Sequence, residues 1–159
     1  MTLFETEETN QYTYEPVTRH PFYAEINRSL VRRAFIPFTS RSSGAALSIV
    51  DMACGTGVIT RLIAEELFRL GLPGRIACID PSAEALRLAR KSMQEVAIRT
   101  DFFQGDTDDI SSIVKNADAA FFCNAVHLVS DKLSALRRMN AILAPGGILA
   151  RNSAFFDAS

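Results

Sequence analysis

The fold is decided by one stretch, Leu47-Ser48-Ile49-Val50-Asp51-Met52-Ala53-Cys54-Gly55-Thr56-Gly57, in which a short apolar run ends in an acid and a glycine turn follows. From Val58 onward the apolar residues recur at intervals of three and four, which predicts a helix directly after the turn. Gly55 and Gly57 lack a Cβ, so the backbone can turn tightly there and let a ligand come close. A strand, a glycine turn and a helix N-terminus together favour the binding of a nucleotide-like ligand.

The composition is that of one globular domain. The chain has 159 residues, of which 48% are hydrophobic and 22% are charged. Its net charge of -1 gives no reason to expect a polyanionic partner. The first ten residues are acidic and polar, and no apolar run approaches the ~20 residues that span a bilayer. We therefore expect a cytoplasmic protein that binds neither nucleic acid nor a membrane.

The cysteines and the acidic cluster do not indicate a metal site. Cys54, Cys78 and Cys123 fall at the ends of predicted strands without CxxC spacing or a neighbouring His. This pattern favours reduced, apolar filler residues over metal ligands or disulfides. Asp108 and Asp109 also lack a nearby His or Cys, so a solvated turn is the preferred interpretation, and we expect no metal.

Residues 1–45 are predicted to form an N-terminal arm and a helix. The apolar positions between Phe22 and Ile36 recur at three and four, which predicts an amphipathic helix that ends at Pro37. The segment Tyr12–Tyr23 is rich in aromatic residues and prolines. It is a candidate lid over a substrate crevice or, equally, a packing arm.

After Ala46, strand and helix patterns alternate, which predicts a parallel sheet with helices on both faces. Ser82 and either Ser130 or Asp131 are placed to cap two of the helices, the second of which is predicted to run through Leu143. The predicted strands are Leu47–Met52, Arg75–Asp80, Asp101–Gln104, Ala117–Cys123 and Ile148–Asn152.

Polar residues stand where four of these strands end, namely Asp51, Asp80, Asp106 and Asn124. In an open parallel sheet, ligands bind in the crevice beyond the carboxyl ends of the strands. One acid at such a place is more often a turn or cap residue, but four in register beside a glycine turn favour a binding crevice. Asp80 lies 23 residues after Gly57, near the ~20-residue spacing at which an acid meets ribose hydroxyls.

A dinucleotide is the less favoured ligand. Its fingerprint needs a small residue three positions after the second glycine, where this chain has Thr60. The Tyr and Lys that short-chain dehydrogenases need beyond the fourth strand are also missing, because all three tyrosines precede the first strand. An NAD-linked oxidoreductase therefore remains a distant alternative.

Five motifs occur in a fixed order along the chain: Asp51-Met52-Ala53-Cys54-Gly55-Thr56-Gly57, Asp80, Gly105-Asp106, Asn124 and Leu143-Ala144-Pro145-Gly146-Gly147. Together they resemble the class I S-adenosylmethionine-dependent methyltransferases, over about Ala46 to Ser153. One departure is Ala53, where the family prefers glycine. The resemblance implies a three-layer α/β sandwich with a mostly parallel sheet, the Rossmann-like methyltransferase fold, in which residues 46–159 form the S-adenosylmethionine-binding domain.

The resemblance also implies a role for each motif. The loop of Ala53, Cys54, Gly55 and Gly57 would approach the methionine part of S-adenosylmethionine, and Asp51 would anchor this loop and the amino group. Asp80, followed by Pro81, would accept hydrogen bonds from both ribose hydroxyls. Asp106 would accept from the adenine amino group, with Thr107 beside the ring. Asn124 and Ala125 would face the sulfonium end.

A methyltransferase of this kind needs a base only when the acceptor is a hydroxyl or an acidic carbon. His127, three residues past Asn124, is the best candidate; the alternative is that it packs under its loop or faces solvent. His20 is a weaker candidate. We expect a small-molecule acceptor, because the motifs of the nucleic-acid enzymes are missing after the fourth strand; its identity, and whether O, N or C is methylated, stay open.

The family usually adds a further helix and an antiparallel strand pair, which this chain lacks, so the fifth strand would be an exposed edge. Further chain or a second copy in a homodimer would complete the sheet. The missing strands motivate an alternative function, a non-catalytic S-adenosylmethionine-binding or partner subunit.

Overall fold

The structure, a computed structural model, describes residues 20–41 and 44–152. After the first helix, strands and helices alternate as the sequence predicts. The elements are, in chain order, α1 (Pro21–Phe35), a short 3-10 helix (Ile36–Phe38), β1 (Leu47–Met52), α2 (Val58–Leu70), β2 (Gly74–Asp80), α3 (Ala83–Met93), β3 (Arg99–Gln104), α4 (Ile110–Ile113), β4 (Ala117–Cys123), a second 3-10 helix (Val126–Leu128), α5 (Lys132–Ala141) and β5 (Leu143–Asn152).

The described strands form one five-stranded sheet in the order β3-β2-β1-β4-β5, and every pair is parallel. The predicted α/β class is therefore confirmed. From β1 the chain first adds strands on one side and then returns to add β4 and β5 on the other. The order reverses between β1 and β4, so the carboxyl ends of these two strands border the place where open α/β sheets bind ligands.

The central strand β1 is buried on both faces, which accounts for its nearly unbroken apolar run. Leu47 and Ile49 belong to a core cluster that also contains residues of α1, α2 and α3. Val50 and Met52 belong to a second cluster, which contains residues of α4 and α5. Successive side chains of a strand point to opposite faces of the sheet, so each cluster packs one layer of helices against one face. The fold is therefore a three-layer sandwich.

Helix α1 packs against α2 and β5 and runs antiparallel to the strands. Near its C-terminus, Phe35 is stacked on Phe121 of β4, with ring centroids 6.1 Å apart. Near its N-terminus, Asn27 is hydrogen-bonded to Asn124, just beyond the carboxyl end of β4. The first two turns of α1 therefore lie at the carboxyl edge of the sheet.

The buried face of α1 differs from the one that the apolar spacing predicts. Phe22 and Ile26 are 70% and 44% exposed, whereas Asn27 is fully buried. The buried stripe of Asn27, Val31, Ala34 and Phe35 has the expected helical spacing, but it is rotated relative to the predicted one. Asn27 can be buried in this stripe because the side chains of Asn124 and Asn152 are hydrogen-bonded to it.

The last strand is longer than predicted. The helix expected to run through Leu143 ends at Ala141, and β5 begins at Leu143, which pairs with Ala117. A register shift between Ala117 and Ala119 absorbs the Pro-Gly-Gly turn inside the strand. Gly147 is required there, because a Cβ would lie 2.8 Å from the carbonyl oxygen of Ala117.

Two predicted helix caps are confirmed. The hydroxyl of Ser82 accepts a hydrogen bond from Ala85 N at the start of α3, and the carboxylate of Asp131 accepts one from Ser134 N at the start of α5. In the part of the chain that the structure describes, every helix is too short or too polar to span a bilayer.

Candidate functional site

The glycine loop connects β1 to α2 at the carboxyl edge of the sheet. Ala53, Gly55 and Gly57 all have positive φ, at 54°, 54° and 87°. A Cβ on Gly55 would meet no atom within 4 Å, whereas one on Gly57 would lie 2.9 Å from Ser92 Oγ and 3.3 Å from the backbone of Ala89. The two glycines therefore serve different ends: Gly57 lets α2 and α3 pack closely, and Gly55 leaves open space beside its backbone.

Asp80 holds this loop in place at the end of β2. Its Oδ2 accepts a hydrogen bond from Gly55 N at 2.8 Å, and its Oδ1 accepts one from Ser82 N at 2.9 Å. The residue is 7% exposed, in a buried setting beside exposed Pro81. A carboxylate has about four acceptor positions, so both oxygens keep capacity for a further donor such as a hydroxyl.

Asp51 lies deeper than the other strand-end acids. Its carboxylate is 1% exposed and accepts a hydrogen bond of 2.6 Å from the hydroxyl of Thr60, in the first turn of α2. Burial raises the pKa of Asp51 to about 7, the Thr60 bond opposes this rise, and the charge of Asp80 adds to it. Asp51 thus joins the end of β1 to α2, on either side of the glycine loop, and its pKa lies near neutrality.

The three cysteines surround this acid as buried, free thiols, as the sequence predicts. A hydrogen bond with Cys78, followed by burial, raises the pKa of the Cys54 thiol. Burial also raises the pKa of Cys123. Neutral, buried thiols are inert, so they serve as packing residues beneath the loop.

Asp106 lies in an exposed turn after β3. Its Oδ1 accepts a hydrogen bond from Asp108 N at 2.7 Å, while Asp109 Oδ2 accepts one from Asp106 N at 3.0 Å. Asp108 also forms an ion pair with Arg138. Thr107, between these acids, is buried. Among the residues that the structure describes, no group of three His, Cys, Asp or Glu could hold a metal ion.

Asn124 is the most constrained residue of the edge. It has a φ of 57° and is 8% exposed, and Ala125 after it is buried. Its backbone N–H donates to both the backbone oxygen and the Oδ1 of Asn152, at 3.1 and 3.0 Å. Its side-chain Nδ2 donates to Asn27 Oδ1 at 3.2 Å, and Asn152 Nδ2 donates to the same oxygen at 2.9 Å. We call Asn27, Asn124 and Asn152 the asparagine cluster.

The two histidines occupy different positions. His127 lies in the 3-10 helix that follows Asn124 and is half-buried. His20 caps α1, where its Nδ1 accepts a hydrogen bond from Phe22 N at 3.2 Å. His20 thereby has a structural role at the helix start.

A groove of about 510 Å³ lies elsewhere, between α3 and the edge strand β3. Seven residues line it, and none of them is a predicted site residue: Ala83, Leu86, Arg87, Arg90, Lys91, Gln94 and Gln104. We place the candidate site at the carboxyl edge, because the strained loop, the acids and the asparagine cluster converge there.

Sequence reasoning missed three residues of this edge, although two left a signal. Asn152 ends the fifth predicted strand, so the rule that selected Asn124 applies to it as well. Asn27 interrupts an apolar helical stripe. Thr60 left no such signal, because its importance depends on the burial of Asp51 across the loop.

The parallel sheet with helices on both faces, together with a glycine loop and an acid at the next strand end, defines the class of Rossmann-like α/β proteins. Residues 49–147 match the family described as Methyltransferase domain. The chain therefore belongs to this family, the class I S-adenosylmethionine-dependent methyltransferases.

Three similar proteins illustrate the relationship. A ubiquinone biosynthesis O-methyltransferase of Methylobacterium sp. (strain 4-46) is 29% identical over 104 residues, which are 65% of this chain and 39% of that protein. The CurJ carbon methyltransferase has a TM-score of 0.78 at 18% identity, over 96% of this chain and 40% of that one. The plantazolicin methyltransferase BpumL, in complex with a pentazolic desmethylPZN analog and S-adenosylhomocysteine, has a TM-score of 0.67 at 20% identity, over 93% of this chain and 54% of that one. The match thus spans only part of each protein's length.

Proposed function

We propose that this chain binds S-adenosylmethionine along the carboxyl edge of the sheet, from the end of β3 to the end of β4, and transfers its methyl group to a small apolar molecule. The main support is the open space at Gly55, bordered by the Asp80 carboxylate, in a chain that belongs to the methyltransferase-domain family. When bound, the cofactor supplies an activated methyl group, so the protein need only position the acceptor for in-line attack.

Each part of the cofactor has a candidate partner among the residues of this edge. Asp80 retains acceptor capacity on both oxygens for two ribose hydroxyls, and Pro81 adjoins it. The loop of Ala53, Cys54, Gly55 and Gly57, anchored by Asp51, would hold the methionine part. We assign Asp106 and Thr107 to adenine, and Asn124 and Ala125 to the sulfonium end. These assignments are part of the proposal.

The acceptor proposal has two supports. By its name, the Methylobacterium relative acts in ubiquinone biosynthesis, so a quinone precursor is the first acceptor to test. Phe22 and Ile26 are exposed apolar residues on the turns of α1 that lie at the carboxyl edge. The first turns of α1, within the N-terminal segment of residues 1–45, would therefore contact the acceptor beside the S-adenosylmethionine-binding domain of residues 46–159. Most of the predicted lid segment Tyr12–Tyr23 lies outside the described residues. Three free cysteines suit a reducing compartment, and we propose the cytoplasm.

The first experiment titrates the chain with S-adenosylhomocysteine by calorimetry, beside Asp80→Ala and Asp101→Ala. Asp80→Ala removes the charge-assisted acceptor, so we expect binding about tenfold weaker or more. Asp101, an exposed acid of the neighbouring strand paired with Arg99, is the matched control and should bind as the unaltered chain does. A folded chain that binds no S-adenosylhomocysteine would contradict the proposal.

A second experiment separates catalysis from binding alone. The chain is incubated with S-adenosylmethionine and a panel of phenolic and quinone precursors, and methylated product is measured across a pH range. We propose His127 as the general base for a hydroxyl or acidic-carbon acceptor, so His127→Gln should lower turnover by about 10²-fold or more. Binding without turnover of any acceptor would favour the alternative of a non-catalytic binding subunit.

A further inference from the structure

The asparagine cluster connects the N-terminal helix to the place where the sheet order reverses. Asn27 is fully buried, and its Oδ1 accepts hydrogen bonds from the side chains that follow β4 and end β5. Its own Nδ2 donates to Tyr23 O at 2.9 Å, one turn earlier in α1. Both polar atoms of the Asn27 side chain are therefore hydrogen-bonded, as buried polar groups require.

The cluster holds both the backbone and the side chain of Asn124. Asn124 has a φ of 57°, in the left-handed region that residues other than glycine adopt uncommonly. Its backbone N–H and its side-chain Nδ2 are held by Asn152 and Asn27 respectively. Helix α1 is anchored independently by Phe35, which is fully buried and stacked on Phe121. Asn27 thus transmits the position of a firmly packed helix to Asn124.

From this arrangement we propose that Asn27 is a positioning residue for methyl transfer, which acts through Asn124 on the methyl-bearing end of the cofactor. The inference rests on the proposed function, because it takes the reactive end of the ligand to lie between β1 and β4. It goes further, because it assigns a role to a residue of the N-terminal helix that acts through another side chain. Asn27 orients Asn124, and it neither transfers a proton nor forms a covalent bond.

The two forms of the cofactor provide a selective readout. S-adenosylmethionine and S-adenosylhomocysteine differ only in the methyl group and the charge at sulfur. A change that merely loosens the fold would weaken the binding of both by the same factor. A change that acts at the methyl-bearing end would alter the ratio of their dissociation constants.

The experiment measures both dissociation constants by calorimetry for the unaltered chain, Asn27→Ala, Asn27→Asp and Asn152→Ala. Asn27→Ala leaves two amide donors without their acceptor and should change the ratio about fivefold. Asn27→Asp keeps an oxygen for both donors and adds a negative charge, so it should shift the ratio towards tighter binding of the positively charged S-adenosylmethionine. Asn152→Ala removes one donor to Asn27 and one acceptor of Asn124 N, so it should act in the same direction.

The control is Asp118→Ala at the opposite edge of the sheet. Asp118 accepts hydrogen bonds from Ser48 N at 2.9 Å and from Arg41 at 2.7 Å, so its loss should lower the melting temperature without moving the ratio. An unchanged ratio in folded Asn27→Ala would overturn the inference. If Asn27→Ala does not fold, an unchanged ratio in folded Asn152→Ala would overturn it. Absence of binding by the unaltered chain would instead overturn the proposed function, and the inference with it.

Discussion

At the scale of single residues, Asp51 shows how position changes chemistry. The sequence places it among three strand-end acids, yet the structure buries it beneath the glycine loop, bonded to Thr60, while Asp106 stays exposed. The difference arises because Asp51 is still paired within β1, opposite Cys78, whereas Asp106 lies two residues beyond the end of β3. Equivalent positions in a sequence pattern can therefore carry acids with different affinities for a proton.

The buried carboxyl group makes stability depend on pH. Because the pKa of Asp51 is raised to about 7, the folded chain keeps a proton that the unfolded chain releases near pH 4. The free energy of unfolding should therefore fall as pH rises from about 4 to 7 and level off above, by at most about 4 kcal/mol. Asp51→Asn, which can still accept from Thr60, should remove this slope.

Urea unfolding of both chains at several pH values between 4 and 8 measures the effect. The variant should gain stability relative to the unaltered chain as the pH increases. Parallel pH profiles for the two chains would show that Asp51 ionises normally in the folded state.

At the scale of elements, the central unit of β1, glycine loop and α2 has the bounds that the sequence predicts, and the outer elements differ more. An alternation of apolar and turn residues is a local signal, and it defined β1, β4 and the start of α2 to the residue. The start of β5 depends on pairing with Ala117, and the buried face of α1 depends on two asparagines from distant strands. Such tertiary partners cannot be read from a local period.

Helix α1 should be part of the cooperative core. Phe35 is fully buried, stacked on Phe121 and in an edge contact with Phe38. We expect Phe35→Ala to lower the free energy of unfolding by about 3–5 kcal/mol in a single transition, because the loss of a buried ring leaves a cavity. Chemical denaturation followed by circular dichroism measures this change.

The matched control is Phe68→Ala on α2, a residue that is 85% exposed. This substitution should change stability by less than about 0.5 kcal/mol. Equal effects of the two substitutions, or two separate transitions, would mean that α1 contributes little to the core.

At the scale of the whole molecule, the order of motifs was sufficient to predict the parallel sheet and its family. Fewer details of the candidate site could be predicted from the sequence. Asp80 and the glycines could be selected from the sequence because each lies at the end of a predicted strand or just after it, and the structure brings Asp80 to Gly55. Asn27 could not be connected to Asn124, because 97 residues separate them and only the folded sheet brings them together.

Ligand binding should stabilise the entire fold. A ligand that binds only the folded chain adds about 2.7 kcal/mol at a concentration 100 times its dissociation constant. For a chain of this size the melting temperature should then rise by roughly 5–10 °C in saturating S-adenosylhomocysteine. Differential scanning fluorimetry measures this shift, with NAD at the same concentration as the control. A shift with NAD and none with S-adenosylhomocysteine would favour an oxidoreductase.

The asparagine cluster also bears on the order of events during synthesis. Its bond between Asn27 and Asn152 joins residues 125 positions apart, so the cluster cannot close until nearly all of the described chain has been made. Contacts between such distant residues form late, because a long loop must first be closed. Domains fold as they emerge from the ribosome, and a nascent chain that ends before Asn152 could fold its central strands without the cluster. The chain should therefore acquire its completed carboxyl edge only in the last stage of folding.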